Sequence, residues 1–563
     1  MSPDVAHGKR LLTPPPVAQL REDPDQLIEL ACHGLATAAP EYSAWGVFVP
    51  WQRVTLIVLA IAALAGLLVA PAATCIVIIA VVTIAYAVAL GYRFVLFRYG
   101  ARGDRMVTVS DEEAHSVPDD QLPVYTVLVP VFHEPLLGEL VERLEGLDYP
   151  RHLLDIRLLL EDDDDETVTA ARSLAPREHL TVVRVPPMKP RTKPKACNYG
   201  FLAADSGMCT IFDAEDAPDP LQLRRAVVAM RRLGPQYACI QARLGFYNAS
   251  QNLLTRWFTL DYGSWFGNML SGLVSLGAPV PLGGTSNHFR SDVLRGVGAW
   301  DPWNVTEDAD LGLRLHRAGY KVGVLDSTTL EEANSDGINW VRQRSRWYKG
   351  YIQTFLVHVR RPRLVAGQLG LRGVAGLLVF IAGTPLLSAF NGFFWALTAM
   401  WFTSRDPAVA ALFPSAVYYL GMVCLVLGNL AVLYMGVFTA RQMERPDLLG
   451  AALLMPLYWG LMWLAALKAV IQLVTKPSYW EKTAHGLDQQ ITFEGAGHIK
   501  AAHRMPGIDE RLDPLHRVGD RALGARRCQI VADHARGVEG GVLAERDPAG
   551  VHQPIREQLE LLG

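Results

Sequence analysis

Nothing in the cysteine pattern of this chain points to a zinc site or a disulfide framework. The seven cysteines (32, 75, 197, 209, 239, 424 and 528) form no Cys-x-x-Cys pair and no Cys/His spacing. Their scatter fits reduced thiols. Excess charge is missing too. There are 53 Lys and Arg against 56 Asp and Glu, a net charge of −3, which removes the basic footprint of a nucleic-acid binder. Charged residues make up only 19% of the 563 positions and apolar ones 50%, so an ordinary soluble multidomain protein is a poor reading. Residues 1–53 carry charges and prolines before any apolar run, and no cleavable signal peptide is expected there.

What is present is a set of long apolar runs. Val54 to Ala70 is uncharged, Pro71 interrupts it, and Ala72 to Leu90 continues to about Phe97 with one Arg. Each run is near the roughly 20 residues that cross a bilayer as a helix. The pair reads as a transmembrane hairpin over 54–97. Arg93, Arg98, Arg102 and Arg105 follow it, so the next block is expected in the cytosol, together with the N-terminus. Apolar character resumes in three blocks, 373–402, 412–438 and 449–475, with Pro385 and Pro456 inside two of them. Lys468 and Gln472 make the end of the last block fit an interfacial helix better than a deep one. Hydropathy leaves five or six crossings, or four if that block lies in the interface.

Between the two membrane regions, strand-like runs recur at 124–131, 156–160, 181–185, 209–212, 237–241 and 321–325. Helical stretches such as Leu221–Leu233 and Leu311–Ala318 separate some of them. This alternation predicts an α/β domain with a largely parallel sheet, whose ligands bind beyond the carboxyl ends of the strands. The expected organisation is a mostly irregular linker (1–53), a hairpin (54–97), an α/β domain (98–365), membrane or interfacial helices (366–475), a short loop (476–490) and a poorly ordered tail (491–563).

Candidate site residues cluster at the predicted strand ends. The strand Val127–Val131 runs into a polar loop with Glu134, which can hold a base through backbone groups and a carboxylate. Six acids, Glu161 to Glu166, follow Leu160; Asp163 or Asp164 is the candidate for a base or ribose. Asp213-Ala214-Glu215-Asp216 follows another strand, and carboxylates this close can share Mg²⁺ or Mn²⁺ facing a diphosphate. Lys193, Lys195 and Asn198 lie between the two acidic groups, with Lys195 the candidate phosphate contact. In Thr306-Glu307-Asp308, Asp308 is a candidate general base with Glu307 beside it, although a plain helix N-terminus explains the triplet equally well. Gln343, Arg346 and Trp347 form a QxxRW motif in which Arg can bridge phosphates and Trp can stack on a sugar.

With these motifs in this order between apolar hairpins, the chain resembles the membrane-embedded, processive family 2 glycosyltransferases, typified by cellulose and hyaluronan synthases. Among them it looks similar to bacterial exopolysaccharide enzymes like phage-adsorption protein B. The resemblance covers about residues 50–490. It implies a GT-A fold (nucleotide-binding and Rossmann-like), inserted between transmembrane helices, and a UDP-sugar donor with UDP-glucose first. It implies a divalent cation at Asp213 with Glu215 or Asp216, Asp163 near uridine, and Asp308 as the base of an inverting transfer. Gly284 and Thr285 resemble the acceptor-side loop. Trp480, Lys482 and Thr483 resemble the loop that covers the donor, which demands an even number of crossings. Implied partners are the growing polysaccharide, the bilayer of a bacterial inner membrane and accessory export subunits, with no nucleic acid. Single-sugar transfer to a lipid phosphate and a non-catalytic membrane receptor are the other readings.

Overall fold

The apolar strand runs between residues 106 and 331 assemble into one nine-stranded sheet. In this computed structural model, which describes residues 12–13, 15–134, 137–477 and 479–481, the strands are β1 (Met106–Val107), β2 (Tyr125–Val131), β3 (Leu154–Glu161), β4 (Leu180–Val185), β5 (Met208–Ile211), β6 (Ala217–Pro218), β7 (Tyr237–Phe246), β8 (Asn287–Arg290) and β9 (Lys321–Glu331). Their order is β1-β9-β7-β8-β5-β2-β3-β4, with β6 on β9. Strands β5, β2, β3 and β4 run parallel, and so do β1, β9 and β7. The short β8 is antiparallel to both of its neighbours and joins the two blocks. All six runs read from sequence fall on strands; β1, β6 and β8 were missed because two to four residues carry no readable alternation.

Register positions the site. Val131 lies opposite Leu160, and Leu128 opposite Ile211. The carboxyl ends of β2, β3 and β5 therefore meet at one edge, where helices cover both faces of the sheet. Strand β2 is buried at six of its seven positions, as a strand packed on both faces should be.

The helices that frame this edge are numbered in chain order. They are α1 (Pro24–Ala38), α2 (Pro50–Val69), α3 (Pro71–Gly100) and α4 (Lys193–Leu202). Helix α5 runs as Leu253–Ser264, a π turn at Trp265–Met269 and Leu270–Leu276. Then come α6 (Glu307–Arg317), α7 (Gly337–His358), α8 (Pro362–Ser404), α9 (Ser415–Gln442) and α10 (Met455–Thr475). Five of them, α2, α3, α8, α9 and α10, are long and apolar enough to cross a membrane. Only 6% of the most apolar 18-residue window of α2 is buried, so its Leu, Ile and Val side chains stand exposed. Helix α8 breaks at Gly370 (φ 63°) rather than at Pro385, and a π turn at Leu377–Ala382 just precedes that proline.

One expectation is refined here. Residues 1–53 are expected to be a mostly irregular linker, yet α1 lies within them and buries Leu27, Ile28, Ala31 and Cys32 in the main core and Leu35 against Ala39 and Tyr42, because its apolar positions recur at helical spacing. Helix α10, apolar enough to span, lies along α7. Tyr458 near its start accepts a hydrogen bond from Arg344 at 3.0 Å, Leu473 near its end packs on Ile352 and Leu356, and the Lys476 carbonyl accepts from Lys349 at 3.3 Å. Both ends of α10 thus meet one helix.

Candidate active site

At the end of β3, Glu161 is the first acid after the strand. It lines the central cavity, and its carboxylate meets the buried Lys195 ammonium at 2.7 Å. Burial raises the Glu161 pKa, and the Lys195 contact opposes that. The two acids expected to read the base are turned elsewhere. Asp164 caps the next helix, accepting from the His133 N–H and the Thr167 hydroxyl, each at 2.7 Å. Burial raises its pKa, but these hydrogen bonds win and hold it low. Asp163 pairs with Arg191, which itself lines the cavity. Glu134 stays near the same helix, its N–H donating to Thr167 at 3.0 Å, and does not line the cavity.

Lys195 is likewise not exposed to the cavity. Its ammonium is consumed by Glu161 and by the Pro186 and Met188 carbonyls. Lys193, at the first position of α4, is the lysine that faces the acids. It pairs with Asp213 and donates to the Gly284 carbonyl at 2.8 Å. Burial alone would lower its pKa, but the Asp213 carboxylate keeps it raised and charged. Asn198, the third polar residue of that helix, binds backbone instead, donating to the Ala31 and Trp300 carbonyls.

After β5, Asp213 and Glu215 line the cavity. Asp216 is fully buried behind them and shapes the turn: its Oδ2 accepts from the Asp213 N–H at 2.8 Å and from the Thr285 hydroxyl. Glu331, at the end of β9, joins this group and was not legible in the sequence. Burial, then Asp216, Glu215 and Asp213, push its pKa well above the usual carboxylate range. Asp216 Oδ1 and Glu331 Oε1 are buried with no hydrogen-bond partner. Among the described residues, no three His, Cys, Asp or Glu side chains already form a metal-type group. Even so, buried carboxylates with orphan oxygens beside an ammonium are a donor set that a hard divalent cation fits. Asp213 and Glu215 would hold it, backed by Asp216 and Glu331.

The base candidate sits at the start of α6. Asp308 lines the cavity and accepts from the Ala309 N–H at 2.7 Å. An ideal Cβ on Gly284 would lie 3.5 Å from its Oδ2, so the Gly284-Thr285 turn packs directly against the carboxylate. Burial raises the Asp308 pKa. Burial, and next the charge of Asp308, push Glu307 up to about 8, while Lys193 and Arg346 pull the other way.

Helix α7 supplies the opposite wall. Gln343, Arg346 and Trp347 all line the cavity. Arg346 is partly buried, its buried Nε has no hydrogen-bond partner, and its guanidinium lies 4.7 Å over the Trp480 ring. Trp347 stacks near Tyr262, with ring centroids 6.3 Å apart. Arg344, missed by the motif, holds that tryptophan. It pairs with Asp261 at 2.6 Å and lies 4.7 Å over the Trp347 ring. Lys482 and Thr483 lie outside the described residues.

One cavity of about 1330 Å³ joins these groups and continues between α3, α8 and α9 past Asn391, Thr398 and Asn429 to Trp401 and Arg405.

With this geometry in view, the comparisons are informative. Residues 126–282 match the glycosyl transferase family 2 model, and residues 209–467 match glycosyl transferase family group 2. The chain is 23% identical over 234 residues to a probable glycosyltransferase, YdaM, of Bacillus subtilis (strain 168), covering 41% of this chain and 56% of the relative. It is 28% identical over 254 residues to a beta-monoglucosyldiacylglycerol synthase of Synechocystis sp. (44% and 51%). It is also 28% identical over 262 residues to glucomannan 4-beta-mannosyltransferase 2 of Arabidopsis thaliana (44% and 47%). The chain spans about half the length of the curated relatives it matches. A solved mannosyltransferase from Pyrobaculum calidifontis, in complex with GDP-Man and Mn²⁺, aligns at 19% identity and a TM-score of 0.41, over 68% of this chain and 99% of that one. Two overlapping family matches, on a mixed sheet whose carboxyl edge gathers these acids, identify residues 126–467 as a family 2 glycosyltransferase domain.

Proposed function

We propose that this chain moves a hexose from a UDP-sugar, UDP-glucose first among candidates, onto the end of a β-linked polysaccharide, and passes the polymer across the membrane. The observation that carries this reading is the single cavity from Glu161 and Asp213, past Asp308 and Trp347, to Trp401 and Arg405. The stretch Gly383–Ser404 alone has 22 residues, about 33 Å of helix, which matches the hydrocarbon thickness. Asn391, Thr398 and Asn429 line its membrane part. Polar groups at that depth are costly and mark a hydrophilic path. A hydrocarbon tail needs none of them.

In this mechanism Glu161 and Arg191 face the nucleotide, and Lys193 and Arg346 face the diphosphate. Asp308 takes the proton of the attacking hydroxyl, and one displacement inverts the sugar carbon. Trp347, braced by Arg344, stacks on the acceptor ring. Mg²⁺ or Mn²⁺, held by Asp213 and Glu215, neutralises leaving-group charge when bound. Four crossings, by α2, α3, α8 and α9, with α10 in the interface, keep residues 476–481 on the side of the sheet. This reading puts the catalytic domain in the cytosol of a bacterial inner membrane.

A lipid acceptor is the second reading, favoured by the likeness to a beta-monoglucosyldiacylglycerol synthase. Membranes carrying the protein and labelled UDP-sugar decide between them. The expected product is water-soluble or insoluble polymer, lost when divalent cations are chelated. A single labelled sugar extracted into organic solvent overturns the polymer reading.

The pair Glu307 and Asp308 sets the pH response. Asp308 must be ionised to accept a proton, so kcat/KM rises with pH through its raised pKa. Near pH 8 Glu307 ionises and adds negative charge beside the diphosphate, so the profile falls. In Glu307→Gln the alkaline limb disappears and the acid limb stays. A persisting alkaline limb assigns it instead to Lys349, which burial lowers to about 8.

A further inference from the structure

The segment from α1 to α2 takes no part in the chemistry described, yet it places buried polar anchors directly behind the base. Asp301 opens the loop that leads to Thr306-Glu307-Asp308 and is completely buried. Its Oδ1 accepts from the Ser43 hydroxyl at 3.0 Å and its Oδ2 from the Ala44 N–H at 2.5 Å. The Trp303 indole N–H, in the same loop, donates to the Cys32 carbonyl at 3.1 Å. Asn198, on the helix that carries Lys193, donates to the Ala31 and Trp300 carbonyls at 3.0 and 2.8 Å and accepts from the Trp300 N–H.

A second set of contacts runs through Tyr42. Its ring lies 4.4 Å from the Arg317 guanidinium. Arg317 donates to His358 Nδ1 at 2.9 Å, and His358 Nε2 donates to Asp310 Oδ1 at 3.0 Å. Asp310 Oδ2 accepts from Arg314 Nε at 2.6 Å. One neutral tautomer of His358 satisfies both of its contacts, and burial favours that neutral form. This network ties α6, which begins at the base, to α7, which carries the Arg346-Trp347 clamp. The end of α7 is gripped from the same side, since Gln52 of α2 donates to the Leu356 carbonyl at 2.7 Å and Arg360 donates to the Pro40 carbonyl at 2.6 Å.

We propose that residues 31–44 are a positioning strap that holds the Asp308 loop, the Lys193 helix and the Arg346 helix in one fixed arrangement. Ser43, Tyr42, Asp301, Asn198 and His358 are its positioning residues, and none of them lines the cavity. Anchoring α1 to the domain needs only its apolar face. The buried polar contacts instead converge on the catalytic loop, and a buried carboxylate that loses its donors is costly. A misplacement of about 1 Å at a reacting group can cost about 100-fold in rate.

This inference rests on Asp308 acting as the base. The test uses the full-length protein in membranes, measuring kcat, donor KM, the share of donor lost to water, and thermal unfolding. In Tyr42→Ala and Ser43→Ala, transfer falls by about tenfold or more, the share lost to water rises, and donor KM stays within about twofold. Tyr42→Phe, which keeps the ring over Arg317, restores transfer. Normal kcat in both variants overturns the strap, as does a loss that merely tracks the unfolded fraction with an unchanged water share. Ser43→Ala removes one hydroxyl and keeps the test open if Tyr42→Ala does not fold. Normal transfer by Asp308→Asn overturns the base assignment, and is read on that variant alone.

Discussion

Asp308→Asn lowers sugar transfer by about 100- to 10,000-fold while donor binding persists. The amide keeps the shape and the hydrogen bond from the Ala309 N–H but cannot take a proton. Nothing nearby substitutes for it. Glu307 is next in sequence but holds its proton up to about 8, because burial and the Asp308 charge both oppose its ionisation. Asp213 is committed to Lys193. The measurement is donor affinity against single-turnover transfer. An asparagine variant that turns over at the normal rate would remove Asp308 from the chemistry, since its Oδ2 is the carboxylate atom that lies against Gly284 itself.

Arg346→Ala is the second large effect, with kcat down by about 100- to 1000-fold, the scale for losing one fixed donor to developing charge. Arg346 is partly buried, and its electrostatic neighbours Glu307, Asp308 and Asp213 are all site acids. Its Nε has no hydrogen-bond partner, so the cation is held for something the protein itself does not supply. Arg346→Lys recovers only part of the activity, because an ammonium cannot present the planar fork to two phosphate oxygens. Trp480 loses its cation contact in Arg346→Ala. Measuring release of the nucleoside diphosphate as well as transfer separates a leaving-group role from an acceptor role: equal losses in both place Arg346 on the diphosphate.

Much of this site was readable because its parts are local. Asp213 and Asp308 each mark the end of one element and the start of another, and Gln343, Arg346 and Trp347 share one helix. The six-acid run was readable as a place but not as residues. Each of its acids is chemically alike, and only the fold shows that Glu161, the last residue of β3, lines the cavity while Asp164 caps a helix. Lys193 and Lys195 are two positions apart on a helix, roughly 200° around its axis. One faces Asp213 and the other Glu161, and no composition rule separates them. Glu331 arrives from the far end of another strand, so only pairing across the sheet reveals it. The apolar runs located all five described helices that are long and apolar enough to cross a membrane, but hydropathy alone cannot tell a helix that crosses from one that lies flat, and it gave no sign that both ends of α10 meet α7.

Gly350 on α7 has a consequence for what the enzyme can accept. A methyl group there would collide with the Thr306 side chain at the head of the base helix. With the two walls touching, the gap between proton acceptor and aromatic clamp behaves as a rigid gauge. Under the proposed mechanism a bulkier sugar ring is not admitted by spreading α6 from α7, and accommodation falls to the segment around Trp480, which meets α7 through the Arg346 side chain, the Arg342–Glu481 pair and the Lys349 and Gln353 hydrogen bonds.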